Sequence, residues 1–120
     1  MNGRMFFWVV LLLVFSTPHA GYAYIEHSGF ISKDETWRAA DNPHIVSALT
    51  TVRDSATLTI EPGVEVRFNP VAVNPRLIIG EGGTGGTSGR LMAQGTASQP
   101  IVFTSDAADQ QPGDWANIYF

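Results

Sequence analysis

The chain has 120 residues, no cysteine, and 11 acidic against 7 basic side chains, which gives a net charge of −4 at neutral pH. This acidic balance argues against nucleic acid and anionic membrane surfaces as partners. Because no disulfide can form, packing alone must stabilise the fold.

Residues 1–23 have the pattern of a secretory signal peptide. Arg4 precedes an uninterrupted apolar run over residues 5–15, which is too short to span a membrane as a helix. Small residues stand at the first and third positions before a cut between Ala23 and Tyr24. We therefore expect export to the periplasm, the cell surface or the medium, with no stable membrane insertion after cleavage.

The remaining chain divides at the Asn42-Pro43 pair. Residues 24–43 are polar, and we expect an irregular N-terminal cap with Trp37 as its large apolar residue. Over residues 44–120, period-two alternation predicts short strands. These strands are expected at 57–60, 64–68, 77–79 and 101–104, separated by turns at Pro62-Gly63, Asn69-Pro70 and Asn74-Pro75 and by a glycine-rich loop over 80–89.

A weak internal repeat aligns residues 58–63 with residues 91–95, and each copy is followed by a strand that ends in phenylalanine, at Phe68 and Phe103. Such short units bury their apolar side chains only by stacking, which is typical of a β-solenoid. We expect outward side chains at Thr59, Glu65 and Arg67, and an inward stack of Leu58, Ile60, Val66, Phe68, Leu91, Ile101, Phe103 and Ile118.

Four stretches in order, residues 58–68, 89–96, 100–105 and 113–120, resemble the opening coils of bacterial exported right-handed parallel β-helix proteins. The resemblance covers residues 37–120. It implies an all-β, right-handed parallel β-helix of about three coils that starts here and is truncated at the C-terminus. It also implies a scaffold to which many activities are attached, since fold does not imply function.

Three aspartates, Asp106, Asp109 and Asp114, lie within nine residues. Their carboxylates could hold Ca²⁺, which prefers oxygen ligands. Carboxylates without a fixed loop pattern more often form a solvated turn, so we favour that interpretation and expect no metal and no other cofactor. Glu61 and Glu65 could form a glycosidase pair, but no sugar-binding aromatic residues stand near them, which favours a solvated rim.

The aromatic and imidazole side chains offer further candidates. Trp37 and Trp115 could stack on a sugar ring, although the resemblance places both in the core. His27 and His44 have no acid or nucleophile at a suitable spacing, so we interpret both as surface residues. No catalytic or cofactor-binding residue is predicted.

These observations predict a non-catalytic exported scaffold, structural or binding, with polysaccharide or cell-surface partners. One alternative is the N-terminal part of a polysaccharide lyase or glycoside hydrolase whose active site lies on later coils. A second is a carbohydrate-binding β-sandwich. Because the last predicted strand runs to Phe120 without a polar cap, we also expect self-association through the exposed C-terminal coil.

Overall fold

The computed structural model describes residues 23–120. Within this range, no helix is long and apolar enough to cross a membrane. The predicted signal peptide lies outside the described residues, apart from Ala23 and Tyr24, which are exposed just before the first strand. The elements are β1 (Ile25–Ile31), β2 (Glu35–Trp37), a 3-10 turn (Ala39–Asp41), β3 (His44–Val52), β4 (Thr57–Ile60), β5 (Glu65–Phe68), β6 (Leu77–Ile79), β7 (Arg90–Ala93), β8 (Val102–Ser105) and β9 (Ile118–Tyr119).

Every strand pairing among these residues is parallel. One sheet has four levels, formed by β1, by β3, by β5 with β6, and by β8 with β9. A second sheet stacks β2, β4 and β7. The chain therefore winds in successive coils, as a parallel β-helix does. The β-sandwich alternative is wrong, because it requires antiparallel neighbours.

The long strand β3 organises the first sheet. Its start, residues 44–46, pairs with β5, and its end, residues 50–52, pairs with β6. Residues 47–49 lie between the two ladders, and opposite these three residues β1 has only one, Ser28. The sheet is thereby split into two rows of outward side chains, one on each side of this bulge.

The core fills the space between the two sheets. Leu58, Val66 and Phe68 are fully buried, Ile60 is nearly so, and Glu65 and Arg67 are half-exposed on the other face. Leu91, Ile101, Phe103 and Ile118 pack against this core and are partly buried. The predicted alternation is confirmed, and the lower burial of the last four follows from their place on the last level.

The prediction of an irregular segment over residues 24–43 is wrong, since β1 and β2 lie within it and form the first coil. In β1 the inward positions that match Val46 and Thr50 are His27 and Gly29. A histidine and a glycine at inward positions conceal the alternation that defines a strand in sequence. The role of this segment as a cap stays a prediction.

The register of the last level also differs from the repeat alignment. Phe103 pairs with Val66, and it is Ser105 that pairs with Phe68. Trp115 fills the space above Phe68, its ring stacked at a centroid distance of 4.2 Å. Because the small Ser105 lies beside Phe68 on the next level, there is room for the ring of Trp115, which comes from a later segment. The two phenylalanines therefore do not stack on each other.

The predicted turn at Pro62-Gly63 is present. Val64 N–H donates to Glu61 O at 3.3 Å, and Gly63 has φ +81°, as a type II turn with Pro62 and Gly63 at its centre requires. Asn42, one coil earlier, braces this turn. Its Nδ2 donates to Gly63 O and its Oδ1 accepts from Glu65 N–H, both at 2.8 Å.

Candidate functional site

The outward face of the four-level sheet carries two grooves, one along each row of outward side chains. The acidic groove has a volume of about 440 Å³ and is lined by Tyr24, Glu26, Pro43, Ile45, Arg67, Asn69 and Asp106. The aromatic groove has a volume of about 530 Å³ and includes Phe30, Leu49, Thr51, Ile78, Tyr119 and part of the glycine-rich loop.

Parallel register builds the acidic groove. Glu26 of β1 lies beside Ile45 of β3, which lies beside Arg67 of β5. Asp106 directly follows β8 on the next level. Residues 26, 45, 67 and 106 are thus brought together only by the stacking of four coils.

Arg67 is the centre of charge in this groove. Its Nε donates to Glu65 Oε1 at 2.8 Å, and its Nη1 lies 3.7 Å from Asp106 Oδ1. The hydrogen bond with Glu65, together with the charges of both carboxylates, raises the pKa of Arg67. A guanidinium held in its charged form can position or neutralise an anion, but it is a poor proton acceptor.

The three aspartates predicted as a weak calcium site do not act together. Asp106 faces Arg67. Asp114 Oδ2 accepts from Gln111 N–H at 2.9 Å, and this bond, followed by one with Ser105, lowers the pKa of Asp114. Asp109 is exposed. Among residues 23–120, no three His, Cys, Asp or Glu side chains are close enough to hold a metal ion.

The two glutamates that flank the Pro62-Gly63 turn also have separate partners. Glu61 Oε1 lies 3.7 Å from Arg38 Nε, whereas Glu65 binds Arg67. Each carboxylate therefore forms an ion pair with an arginine of its own, which agrees with the rim interpretation and not with a pair acting on one bond.

The aromatic groove was missed by the sequence analysis. Phe30 lies beside Thr51, Thr51 beside Ile78, and Ile78 beside Tyr119. Phe30 is 66% exposed and Tyr119 is 59% exposed. These two residues are far apart in sequence, and only the register of four levels places them in one row.

The glycine-rich loop forms one wall of the aromatic groove. Its base is closed by Glu81 N–H donating to Thr87 O at 2.7 Å, and by Gly80 N–H donating to Val52 O at 2.8 Å. The loop is fixed to the sheet through Gly89, where a Cβ would lie 2.2 Å from Val52 O. Glycine is required there because the backbone approaches β3 too closely for a side chain.

The histidines form a buried cluster, so their interpretation as surface residues is wrong. His27 and His44 stack with Trp37, at ring-centroid distances of 4.0 Å and 5.4 Å respectively. Trp37 Nε1 donates to Glu35 Oε1 at 2.8 Å. Burial, and then the repulsion of His44, lowers the pKa of His27 to about 4. Trp37 itself is 1% exposed, as expected of a core residue.

Comparison with known proteins identifies the fold family. A family model described as "Pectate-lyase like beta helix domain" matches residues 29–120. The chain belongs to this family. Neither the curated proteins nor the solved structures gave a significant match. The β-helix scaffold predicted from the sequence is thereby confirmed, and the match begins within β1, so the first coil is part of the family domain.

Proposed function

We propose that this β-helix domain is an exported, non-catalytic binding module that holds polysaccharide or other cell-surface material on the outward face of its four-level sheet. The observation that carries the proposal is the aromatic groove, where Phe30 and Tyr119 are exposed in one row on a sheet of regular parallel ladders. Exposed aromatic side chains in a concave surface are typical of ligand-binding sites.

The arrangement of charges supports binding over catalysis. Arg67 is paired with Glu65 and Asp106, and Arg53 is paired with Asp54 and Glu81. These ionisable groups stabilise one another across neighbouring coils and loops. The pKa of Arg67 is raised by its partners, whereas general acid–base chemistry calls for a group whose pKa lies near the working pH. Export rests on the signal-peptide pattern of residues 1–23.

A second candidate is the N-terminal part of a polysaccharide lyase or glycoside hydrolase with its active site on later coils. The position of Arg67 between two carboxylates in a groove favours it, as does the description of the family as pectate-lyase like. In that case the acidic groove would be the near end of a longer substrate cleft, and Arg67 would contact the substrate's own acid groups.

The test combines localisation, binding and turnover of the full chain. We expect an N-terminus at Tyr24 on protein recovered outside the cytoplasm, retention on polysaccharide, and no release of reducing ends or unsaturated products. Product release that is lost in Arg67→Ala would favour the lyase or hydrolase. An intact Met1 on cytoplasmic protein would refute export, and failure to bind any polysaccharide would refute the binding role.

A further inference from the structure

The aromatic groove is a straight strip that runs along the direction in which the coils stack. Phe30, Thr51, Ile78 and Tyr119 occupy four successive levels in exact register. Neighbouring strands lie about 4.8 Å apart, so the two aromatic residues are separated by roughly 14 Å along the strip. That distance corresponds to a short oligosaccharide and exceeds one sugar ring.

We propose that this strip binds an extended, uncharged glycan whose sugar rings stack on Phe30 and Tyr119. The inference rests on the proposed binding function and names its site and ligand class. A pyranose ring presents an apolar face of C–H groups, which packs on an aromatic ring, and an edge of hydroxyl groups, which needs hydrogen-bonding partners. A linear strip favours an extended chain over a coiled one.

The wall formed by the glycine-rich loop supplies those polar partners. Within residues 23–120, the N–H groups of Gly82, Thr84 and Gly85 make no hydrogen bond to another backbone group. All three residues line the groove and are exposed. Since two of them have no side chain, sugar hydroxyls can approach the backbone closely, as ligands commonly do at glycines.

The charges around the strip select an uncharged ligand. Arg53 lies over one face of the Phe30 ring, its guanidinium carbon 4.5 Å from the ring centroid. Phe30 is 66% exposed, so a sugar ring would stack on the opposite face. Its Nη1 is 3.1 Å from Glu81 Oε1 and its Nε is 3.2 Å from Asp54 Oδ2. One positive charge is thus opposed by two negative ones. An acidic glycan would be repelled by the net negative charge. A site that binds carboxylates instead presents a cation that is not already paired, and this groove offers none among its described residues.

The experiment measures the binding of cellohexaose, xylohexaose and hexagalacturonate to the full chain by titration calorimetry. We expect at least one of the two neutral hexasaccharides to bind, and hexagalacturonate to bind at least tenfold more weakly. Phe30→Ala and Tyr119→Ala should each raise the Kd for the neutral ligand about tenfold, while Tyr119→Phe should retain affinity. Both residues are largely exposed, so a thermal melt should show that the variants fold.

The matched control is Tyr24→Ala, which removes an exposed aromatic residue from the acidic groove instead. It should leave the Kd for the neutral ligand unchanged. If Tyr24→Ala weakens binding and Phe30→Ala does not, the binding function stands and the assignment to the aromatic groove fails. Preference for hexagalacturonate would refute the charge argument. Absence of binding to both neutral ligands, or a dimer that Phe30→Ala dissociates, would overturn the proposal.

Discussion

His27 Nε2 of the first coil and His44 Nδ1 of the second lie 2.9 Å apart, in a chain of hydrogen bonds that fixes the proton on each ring. His44 Nε2 lies 2.8 Å from Arg38 O. Because a carbonyl only accepts, His44 carries a proton on Nε2, and in its neutral form it accepts at Nδ1. His27 therefore donates from Nε2, and its free Nδ1 faces Glu35 Oε1 at 3.5 Å.

This arrangement predicts a protein that loses stability in mild acid. The pKa of His27 is lowered from 6.5 to about 4 in the folded state. Between these two pH values, His27 binds a proton in the unfolded chain but not in the folded chain. The free energy of unfolding should therefore be unaffected by His27 above about pH 6.5 and should fall as the pH drops towards 4, by up to roughly 3 kcal/mol. Urea denaturation followed by tryptophan fluorescence measures this loss.

The control for the pH effect is His27→Gln, whose amide N–H can still donate to His44 but does not titrate. Its free energy of unfolding should change much less between pH 6.5 and 4 than that of the wild type. The lowered pKa of Asp114 acts in a separate range, because its contribution is lost only as the pH falls through values below 3.8. An equal loss in the wild type and His27→Gln would show that other groups cause the acid sensitivity.

The burial of Phe68 and Phe103 predicts which of their alanine variants loses more free energy of unfolding. Phe68 is fully buried and carries the stacked Trp115 ring, whereas Phe103 is only partly buried on the last level. Phe68→Ala should cost about 3–5 kcal/mol in the free energy of unfolding, and Phe103→Ala less. Glu65→Ala removes a half-exposed ion pair and should cost about 1 kcal/mol or less. Equal denaturant midpoints for Phe68→Ala and Glu65→Ala would contradict the inward assignment.

Sequence patterns predicted the fold from residue 57 onward because apolar inward residues alternate there with polar outward ones, as at Val66 and Arg67. They failed for β1, where His27 is inward and Phe30 outward, so the pattern is reversed. The aromatic groove could not be predicted from the sequence, for a different reason. Phe30 and Tyr119 line the same groove only because three successive strand pairings, β1 with β3, β3 with β6 and β6 with β9, set their registers. No local sequence pattern encodes those registers.

The side chain of Asn42 predicts a turn brace with a measurable contribution to stability. It makes two hydrogen bonds of 2.8 Å, to Gly63 O and to Glu65 N–H, across neighbouring coils. Asn42→Ala should lower the free energy of unfolding by about 2 kcal/mol, at about 1 kcal/mol per bond. Asn69→Ala is the matched control, because the Asn69 side chain accepts only an exposed local bond from Val71 N–H. Similar denaturant midpoints for the two variants would refute the bracing role.

The glycine-rich loop should hold its shape through Gly86 and tolerate change at Gly82. A Cβ on Gly86 would lie 2.0 Å from Glu81 O, so an alanine there must displace the loop backbone. A Cβ on Gly82 meets nothing within 4 Å, and its φ lies outside the left-handed region. We expect Gly86→Ala to break the bond from Glu81 N–H to Thr87 O and to speed amide hydrogen exchange at Glu81 by about tenfold or more.

Gly82→Ala should leave this exchange rate close to that of the wild type. Both variants should keep their global denaturation midpoints, since the loop contributes no side chain to the core cluster. Equal protection of the Glu81 amide in both variants would show that the contact between Gly86 and Glu81 does not define the loop. If the aromatic groove binds glycan as proposed, Gly86→Ala should also weaken cellohexaose or xylohexaose binding, because the displaced backbone forms the polar wall of that groove.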